Sequence, residues 1–157
     1  ILGWLAGYGH TCDSHHLTAP HPEGVGAIGA MKLALADAKL LPRDIGYVSA
    51  HGTGTLDNDK VESLAIARVF GERAVPVSST KRLFGHTLAA SGGIKAVICL
   101  LALAEKSPPA NFGLHTPQDN TLDLLVQPRK APSLRHVISN SFGFGGNNAA
   151  LVFSECP

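Results

Sequence analysis

Three short segments carry residue types from which catalysis is built. The first, His51-Gly52-Thr53-Gly54-Thr55, sets an imidazole beside glycines that free the backbone to turn and beside two hydroxyls that can donate or accept. The second runs Ser78-Ser79-Thr80-Lys81-Arg82-Leu83-Phe84-Gly85-His86-Thr87. Here His86 is expected at a helix N-terminus, whose partial positive charge disfavours a protonated ring and leaves a neutral imidazole able to donate a hydrogen bond. A buried Lys81 ammonium needs an acidic partner, and Glu62, one helix earlier, is the candidate. The third, Ser141-Phe142-Gly143-Phe144-Gly145-Gly146-Asn147-Asn148, has no Lys-Ser/Thr of a phosphate-binding loop and no GxGxxG. Its phenylalanines among glycines read as a movable hydrophobic wall with exposed backbone N–H groups. Each segment also has a plain reading: a structural histidine, an exposed lysine with a capping histidine, a hairpin turn. His10, His15, His16 and His21, with Cys12 and Asp13 nearby, match no familiar ligand spacing, and no metal is expected.

The elements that must position these segments follow from periodicity. Residues 1–8 read as a strand, followed by a His- and Pro-rich loop from Gly9 to Pro22. Val25, Ile28, Met31, Leu35 and Ala38 recur at helical steps until Pro42 ends the pattern. A short strand, Tyr47 to Ala50, runs into the His51 loop. Asp57 or Asn58 can cap the next helix, with Val61, Leu64, Ala65 and Val69 on one face and Gly71 at its end. Strand, loop and helix repeat at Ala74 to Ser79, a polar turn at 79–82 and an apolar helix from about Leu88 to Glu105. Apolar almost all round, this helix should be buried, between two layers. Beyond Pro108-Pro109 lies a connector with little pattern, then strands at Leu122 to Val126, Arg135 to Asn140 and Ala149 to Phe153. The order βαβαβαβββ implies an α/β fold with a mostly parallel sheet and a terminal antiparallel hairpin. Loops at strand ends are where such folds place chemistry.

Composition narrows the function. The chain has 157 residues, 45% of them hydrophobic and 16% charged, enough for one domain with a full core. Its 17 glycines exceed the average share of about 7% and point to close-packed backbone and tight loops. A net charge of +1, with scattered basic residues, offers no stripe for nucleic acid. The longest apolar run, Ala96 to Ala104, is nine residues, short of the ~20 that cross a bilayer. Three widely spaced cysteines, Cys12, Cys99 and Cys156, argue for a reducing, cytoplasmic setting rather than a disulfide framework. The apolar start and the single Met31 suggest that Ile1 is not a natural translation start and that the chain was processed or is a piece of something longer.

His51-Gly52-Thr53-Gly54-Thr55, Ser79-Thr80-Lys81 with Gly85-His86, and Asn140-Ser141-Phe142-Gly143-Phe144-Gly145-Gly146 together resemble the β-ketoacyl-acyl carrier protein synthases, the condensing enzymes of fatty acid and polyketide synthesis. Gly7-Tyr8-Gly9, Asp13 and His16-Leu17-Thr18-Ala19-Pro20 agree. The resemblance runs from about residue 6 to 153 and covers only the C-terminal, thiolase-like half of such an enzyme. It implies that the N-terminal half, with the nucleophilic cysteine, lies outside this chain, which would be inactive alone. It implies hydrogen bonds from His51 and His86 to the thioester oxygen as it becomes an enolate, with Lys81 and its ion-pair partner Glu62 holding the histidines and setting local charge. By the same resemblance Thr53 and Thr55 bind the phosphopantetheine arm, and Phe144 gates the acyl pocket and offers an oxyanion N–H. Phe142 and Gly145 belong to that gate, and Asp13, His16 and Thr18 to a second gate facing it. No cofactor is implied beyond the phosphopantetheine of acyl carrier protein. Acyl carrier protein, the N-terminal half, and a homodimer or heterodimer of full-length subunits are the implied partners.

Two positions depart from the family pattern. Lys95 stands where glutamate is usual and Ser49 where asparagine is usual, positions that in several members help to bind a buried monovalent cation. Losing both oxygen ligands while gaining an amine suggests that Lys95 fills the cation's place. Asn147 is a milder change from Thr or Ser. Two other readings stand beside a catalytic half: a noncatalytic partner resembling a chain-length factor, and a stand-alone binding module without turnover.

Overall fold

The computed structural model describes residues 1–117 and 120–156, so residues 118 and 119 of the connector lie outside the described residues. The elements are β1 (Trp4–Cys12), α1 (Val25–Asp37), β2 (Tyr47–Ser49), α2 (Leu56–Phe70), β3 (Pro76–Ser78), α3 (Lys81–Phe84), α4 (Ser91–Glu105), β4 (Asp123–Leu124), β5 (His136–Gly143) and β6 (Asn147–Ser154). Short 3₁₀ turns lie at Pro42–Asp44, Leu88–Ala90 and Phe144–Gly146. This is the expected alternating order.

One six-stranded sheet, in the order β1-β6-β5-β2-β3-β4, divides the layers. Strands β5, β2, β3 and β4 run parallel, while β6 pairs antiparallel with both β5 and β1. Period-2 alternation sends successive residues to opposite faces. Val48, Ile138 and Val152 face α1 and α2, in a core with Met31, Ala34 and Ile66. Tyr47, Val137 and Phe153 face α4, in a second core with Cys99, Ala102 and Leu103.

The seam between β1 and α1 depends on missing side chains. A Cβ on Gly7 would lie 2.3 Å from the Ala34 carbonyl oxygen, and one on Gly9 would lie 2.1 Å from that of Ala30. Alanines at 30, 34 and 38 complete a close approach that larger residues would prevent.

Several boundaries differ from the periodicity. Strand β1 continues through Gly9 to Cys12 because β6 pairs with it as far as Asn147, so the loop begins only at Asp13. Strand β5 likewise extends to Gly143 along β6, and the glycine loop shrinks to three residues. Helix α2 starts at Leu56 after the N-cap Thr55, which places Asp57 and Asn58 inside its first turn rather than at the cap. Asp59 accepts the Gly54 N–H there, at 3.2 Å. The polar turn at 79–82 tightens into α3, and the strand at 122–126 is only two residues long.

The expectation of a fully buried helix at 88–105 holds for one face. Lys95, Cys99, Ala102 and Leu103 are buried against the sheet, whereas Leu88, Val97 and Leu101 are exposed. The 18 residues Leu88–Glu105 have a mean hydropathy of 1.7, long and apolar enough by those measures to cross a membrane. Their packing against β5 and β6 and the buried Lys95 instead make them a layer over the sheet.

Candidate active site

Strands β5, β2 and β3 are neighbours and parallel, so their carboxyl ends open side by side. Each leads into one of the three sequence motifs. His51 follows β2, Lys81 and His86 follow β3, and Phe142 ends β5. Residues 30 or more apart in sequence therefore meet at one edge.

His51 is 7% exposed. Its ring lies 5.4 Å from that of His86, nearly perpendicular at 82°, and 5.8 Å from Phe142. The Lys81 Nζ lies 3.4 Å from His51 Nδ1 and also donates to the His51 carbonyl. An ammonium has no acceptor, so Nδ1 accepts and the His51 proton resides on Nε2. The Leu88 N–H donates to His86 Nδ1 at 3.3 Å, which assigns the same tautomer to the second ring. Both imidazoles are thus left with Nε2–H as their donor. Burial pushes His51 down to about 3, helped by the positive charges of Lys81 and Lys95 and by His86. It stays neutral at ordinary pH.

Glu62 corrects the expected ion pair. Its buried carboxylate accepts the backbone N–H groups of His51 and Gly52, each at 2.8 Å, and the amides of Asn140 at 3.3 Å and Asn58 at 3.4 Å. The ion pairs among the described residues are Lys106–Glu155, Arg129–Asp123 and Arg135–Glu155, and Lys81–Glu62 is not among them. Turning the chain at Gly52 exposes two backbone donors that need an acceptor more than Lys81 does. Glu62 acts on Lys81 at longer range: burial lowers the lysine and the charges of Glu62 and Asp59 oppose that.

His86 lies two residues before the helical run Leu88–Glu105, which opens as a 3₁₀ turn and continues as α4. It lies between α3 and the 3₁₀ turn at Leu88–Ala90, and its side chain is exposed in this chain. Its Nδ1 accepts the Leu88 N–H at the start of that run.

A cavity of about 950 Å³ collects most of the expected residues: His51, His86, Thr53, Thr55, Phe142 and Phe144, with Asp13 and Thr18 at its wall. The Thr53 and Thr55 hydroxyls hydrogen-bond at 2.8 Å, and Phe144 is 79% exposed. Behind this wall Lys81 and Glu62 line a second cavity of about 530 Å³.

Three residues expected to meet substrate are occupied within the protein. Asp13 accepts from the Asn148 amide and the His21 N–H, both at 2.9 Å, while its own N–H donates to Gly146. Gly145, in the left-handed region, donates its N–H to Leu17 at 2.7 Å. The His16 ring accepts the Thr18 and Ala19 N–H groups, each at 3.1 Å. These contacts stitch the 13–20 loop to the glycine turn, so the two gates are one joined rim.

Asn111 was not singled out by the sequence. Its Oδ1 accepts the Ser79 N–H at 2.8 Å, and its Nδ2 donates to Val77 and Leu125, both at 3.1 Å. It closes the end of β3 just before Lys81. An asparagine shortly after Pro108-Pro109 was the only signal, and nothing local distinguishes it from a loop residue.

Lys95 and Ser49 are buried. The Lys95 Nζ donates to the Asn140 carbonyl, and burial, with Lys81 adding, pulls it down to about 7 against the opposing pull of Glu62. An amine donating to that carbonyl takes up the oxygen that a monovalent cation would need, so the residues present do not fit one. Cys99 is buried in the same layer, and burial pushes its thiol up to about 11, which excludes it as a ready nucleophile.

The chain is 43% identical over 158 residues to the 3-oxoacyl-[acyl-carrier-protein] synthase 2 of Synechocystis sp., covering 99% of this chain and 38% of that one. A solved ketosynthase in complex with its chain length factor, from Xenorhabdus doucetiae, superimposes with a TM-score of 0.87 at 42% identity, over 99% of this chain and 40% of that one. A type II polyketide synthase acyl-carrier protein in complex with its ketosynthase, bound to the hexaketide, contains a chain that matches with a TM-score of 0.94 at 31% identity, over 100% of this chain and 39% of that one. The chain thus spans about two-fifths of the length of the relatives it matches. Residues 2–115, which hold both histidines, Lys81 and Glu62, match the family "Beta-ketoacyl synthase, C-terminal domain", and to that family this chain belongs.

Proposed function

We propose that this chain is the C-terminal half of a 3-oxoacyl-acyl carrier protein synthase and supplies the two-histidine side of a decarboxylative condensation. One observation carries the reading: His51 and His86 line one cavity with both Nδ1 atoms already bonded, leaving an Nε2–H donor on each ring. Such a pair suits an oxygen that gains negative charge.

In the reaction, the C–C bond to the malonyl carboxylate breaks and carbon dioxide leaves. The electron pair passes into the thioester as an enolate, whose oxygen accepts from His51 and His86. The enolate carbon then attacks an acyl thioester, and a cysteine thiolate outside this chain departs. Donors fixed where charge develops commonly contribute roughly 3–4 kcal/mol each. Lys81 holds His51 by its Nδ1 and carbonyl, keeping the donor tautomer.

The paired hydroxyls of Thr53 and Thr55 at the cavity wall suit the amides of a phosphopantetheine arm. Acyl carrier protein is accordingly the partner that presents the substrate. The exposed apolar face of α4 suits cover by the N-terminal half. Retention of His51, Lys81 and His86 argues against a noncatalytic chain-length factor.

The test uses the full-length protein with malonyl carrier protein. His86→Ala should lower the decarboxylation rate by roughly 10²–10³. An unchanged rate would overturn the enolate-stabilising role.

A further inference from the structure

Lys95 is a buried amine that the reaction above does not use. It lies on the inner face of α4, 4% exposed, and makes none of the ion pairs found among the described residues. Its Nζ instead donates to the Asn140 carbonyl. Burying such a group is costly and needs compensating hydrogen bonds.

Asn140 ends the buried stretch of β5, is itself fully buried, and passes its side-chain amide to Glu62 Oε1 at 3.3 Å. The same Glu62 oxygen accepts the His51 N–H at 2.8 Å. A continuous chain therefore runs from Lys95 through the Asn140 backbone, the Asn140 amide and Glu62 to the His51 peptide. Glu62 is the carboxylate that favours the charged form of Lys95, and Lys81 and Cys99 are the other titratable groups acting on it.

We propose that the Lys95 side chain takes the place of a dissociable monovalent cation at this site: a positioning residue that holds Asn140, and through it Glu62 and the His51 loop. The role of His51 in that statement rests on the proposed function, but cation independence does not. Because the amine is covalently attached, it cannot be lost by dilution or exchanged by salt.

The test compares melting temperature and malonyl decarboxylation of the full-length protein in potassium, sodium and tetramethylammonium chloride at equal ionic strength. The wild type should melt at the same temperature in all three. Lys95→Glu places a third oxygen group beside the Asn140 carbonyl and Glu62, a set that suits a hard cation. That variant should melt lower in tetramethylammonium and recover in potassium or sodium. Lys95→Met should melt lower in every salt without recovery. Crystals of the wild type soaked in rubidium should show no anomalous peak at the Asn140 carbonyl. A wild-type melting temperature raised by potassium, recovery of Lys95→Met by potassium, or a rubidium peak at that carbonyl overturns the proposal. If Lys95→Glu does not fold, Lys95→Met and the rubidium soak decide. Absence of decarboxylation in a wild type that melts identically in all salts would count against the proposed function and leave this inference standing.

Discussion

Glu62 and Lys81 hold the two backbone polar groups of His51, its N–H and its carbonyl. The carboxylate of Glu62 accepts the His51 N–H at 2.8 Å, while the Lys81 ammonium donates to the His51 carbonyl and lies 3.4 Å from Nδ1. The two opposite charges make no ion pair with each other. They act on the histidine between them, which sets both its backbone and its tautomer.

Removing one clamp should therefore alter chemistry before it alters folding. Lys81→Met keeps the stem and deletes the donor to Nδ1, so the His51 ring becomes free to carry its proton on either nitrogen. Decarboxylation in the full-length protein should fall by about 10²–10³, the cost typical of losing one oriented oxyanion donor. Nitrogen-15 chemical shifts of His51 should move from the Nε2–H pattern towards a mixture. A variant that keeps a pure Nε2–H spectrum would contradict the tautomer assignment.

Glu62→Gln should act on stability. Four donors converge on the carboxylate, two of them backbone N–H groups at 2.8 Å. A glutamine amide offers one oxygen and directs an NH₂ at a group that also donates. Leaving a buried donor unsatisfied costs about 1–3 kcal/mol, measurable as a lower urea midpoint. The Gly52 and His51 amides should also exchange faster with solvent. Equal midpoints would show that the loop is held by something other than Glu62.

Acid sensitivity follows from His51. In the unfolded chain its ring titrates near the ordinary 6.5, whereas in the folded protein burial, chiefly, and the nearby charges push it to about 3. The unfolded state therefore binds the extra proton first as the pH falls. This contribution is fully present above 6.5, declines steadily below it, and is exhausted near 3. Urea midpoints measured from pH 7 to 4 should fall less steeply in His51→Asn than in the wild type. Parallel slopes would remove His51 from the account.

The β1–α1 seam gives a prediction independent of the site. A Cβ at Gly9 meets the Ala30 carbonyl oxygen at 2.1 Å, and a helix backbone cannot yield as a flexible side chain does. Gly9→Ala should destabilise the chain by about 1–3 kcal/mol, the usual cost of overpacking. Calorimetric or urea unfolding would measure it.

The sequence by itself determined the alternating order of elements, because the spacing of Val25, Ile28, Met31 and Leu35 and the stops at Pro42 and Gly71 are local signals. It also showed His51, Lys81 and His86 as chemistry-bearing, since a histidine in Gly-Thr-Gly-Thr and a lysine among hydroxyls stand out by type alone. What it could not settle depends on partners distant in the chain. Strands β1 and β5 outrun their local patterns because β6 pairs with both, a consequence of register. Glu62 looks like a counterion until the turn at Gly52 brings two unpaired N–H groups onto it. Asp13, Gly145 and His16 give no local sign of the hydrogen bonds they form once the loops fold together. Asn111 carries no local sign of bridging β3 to the residues after β4. In each case residue type states what a group can donate or accept, and only the tertiary structure decides which groups lie within three ångströms of one another.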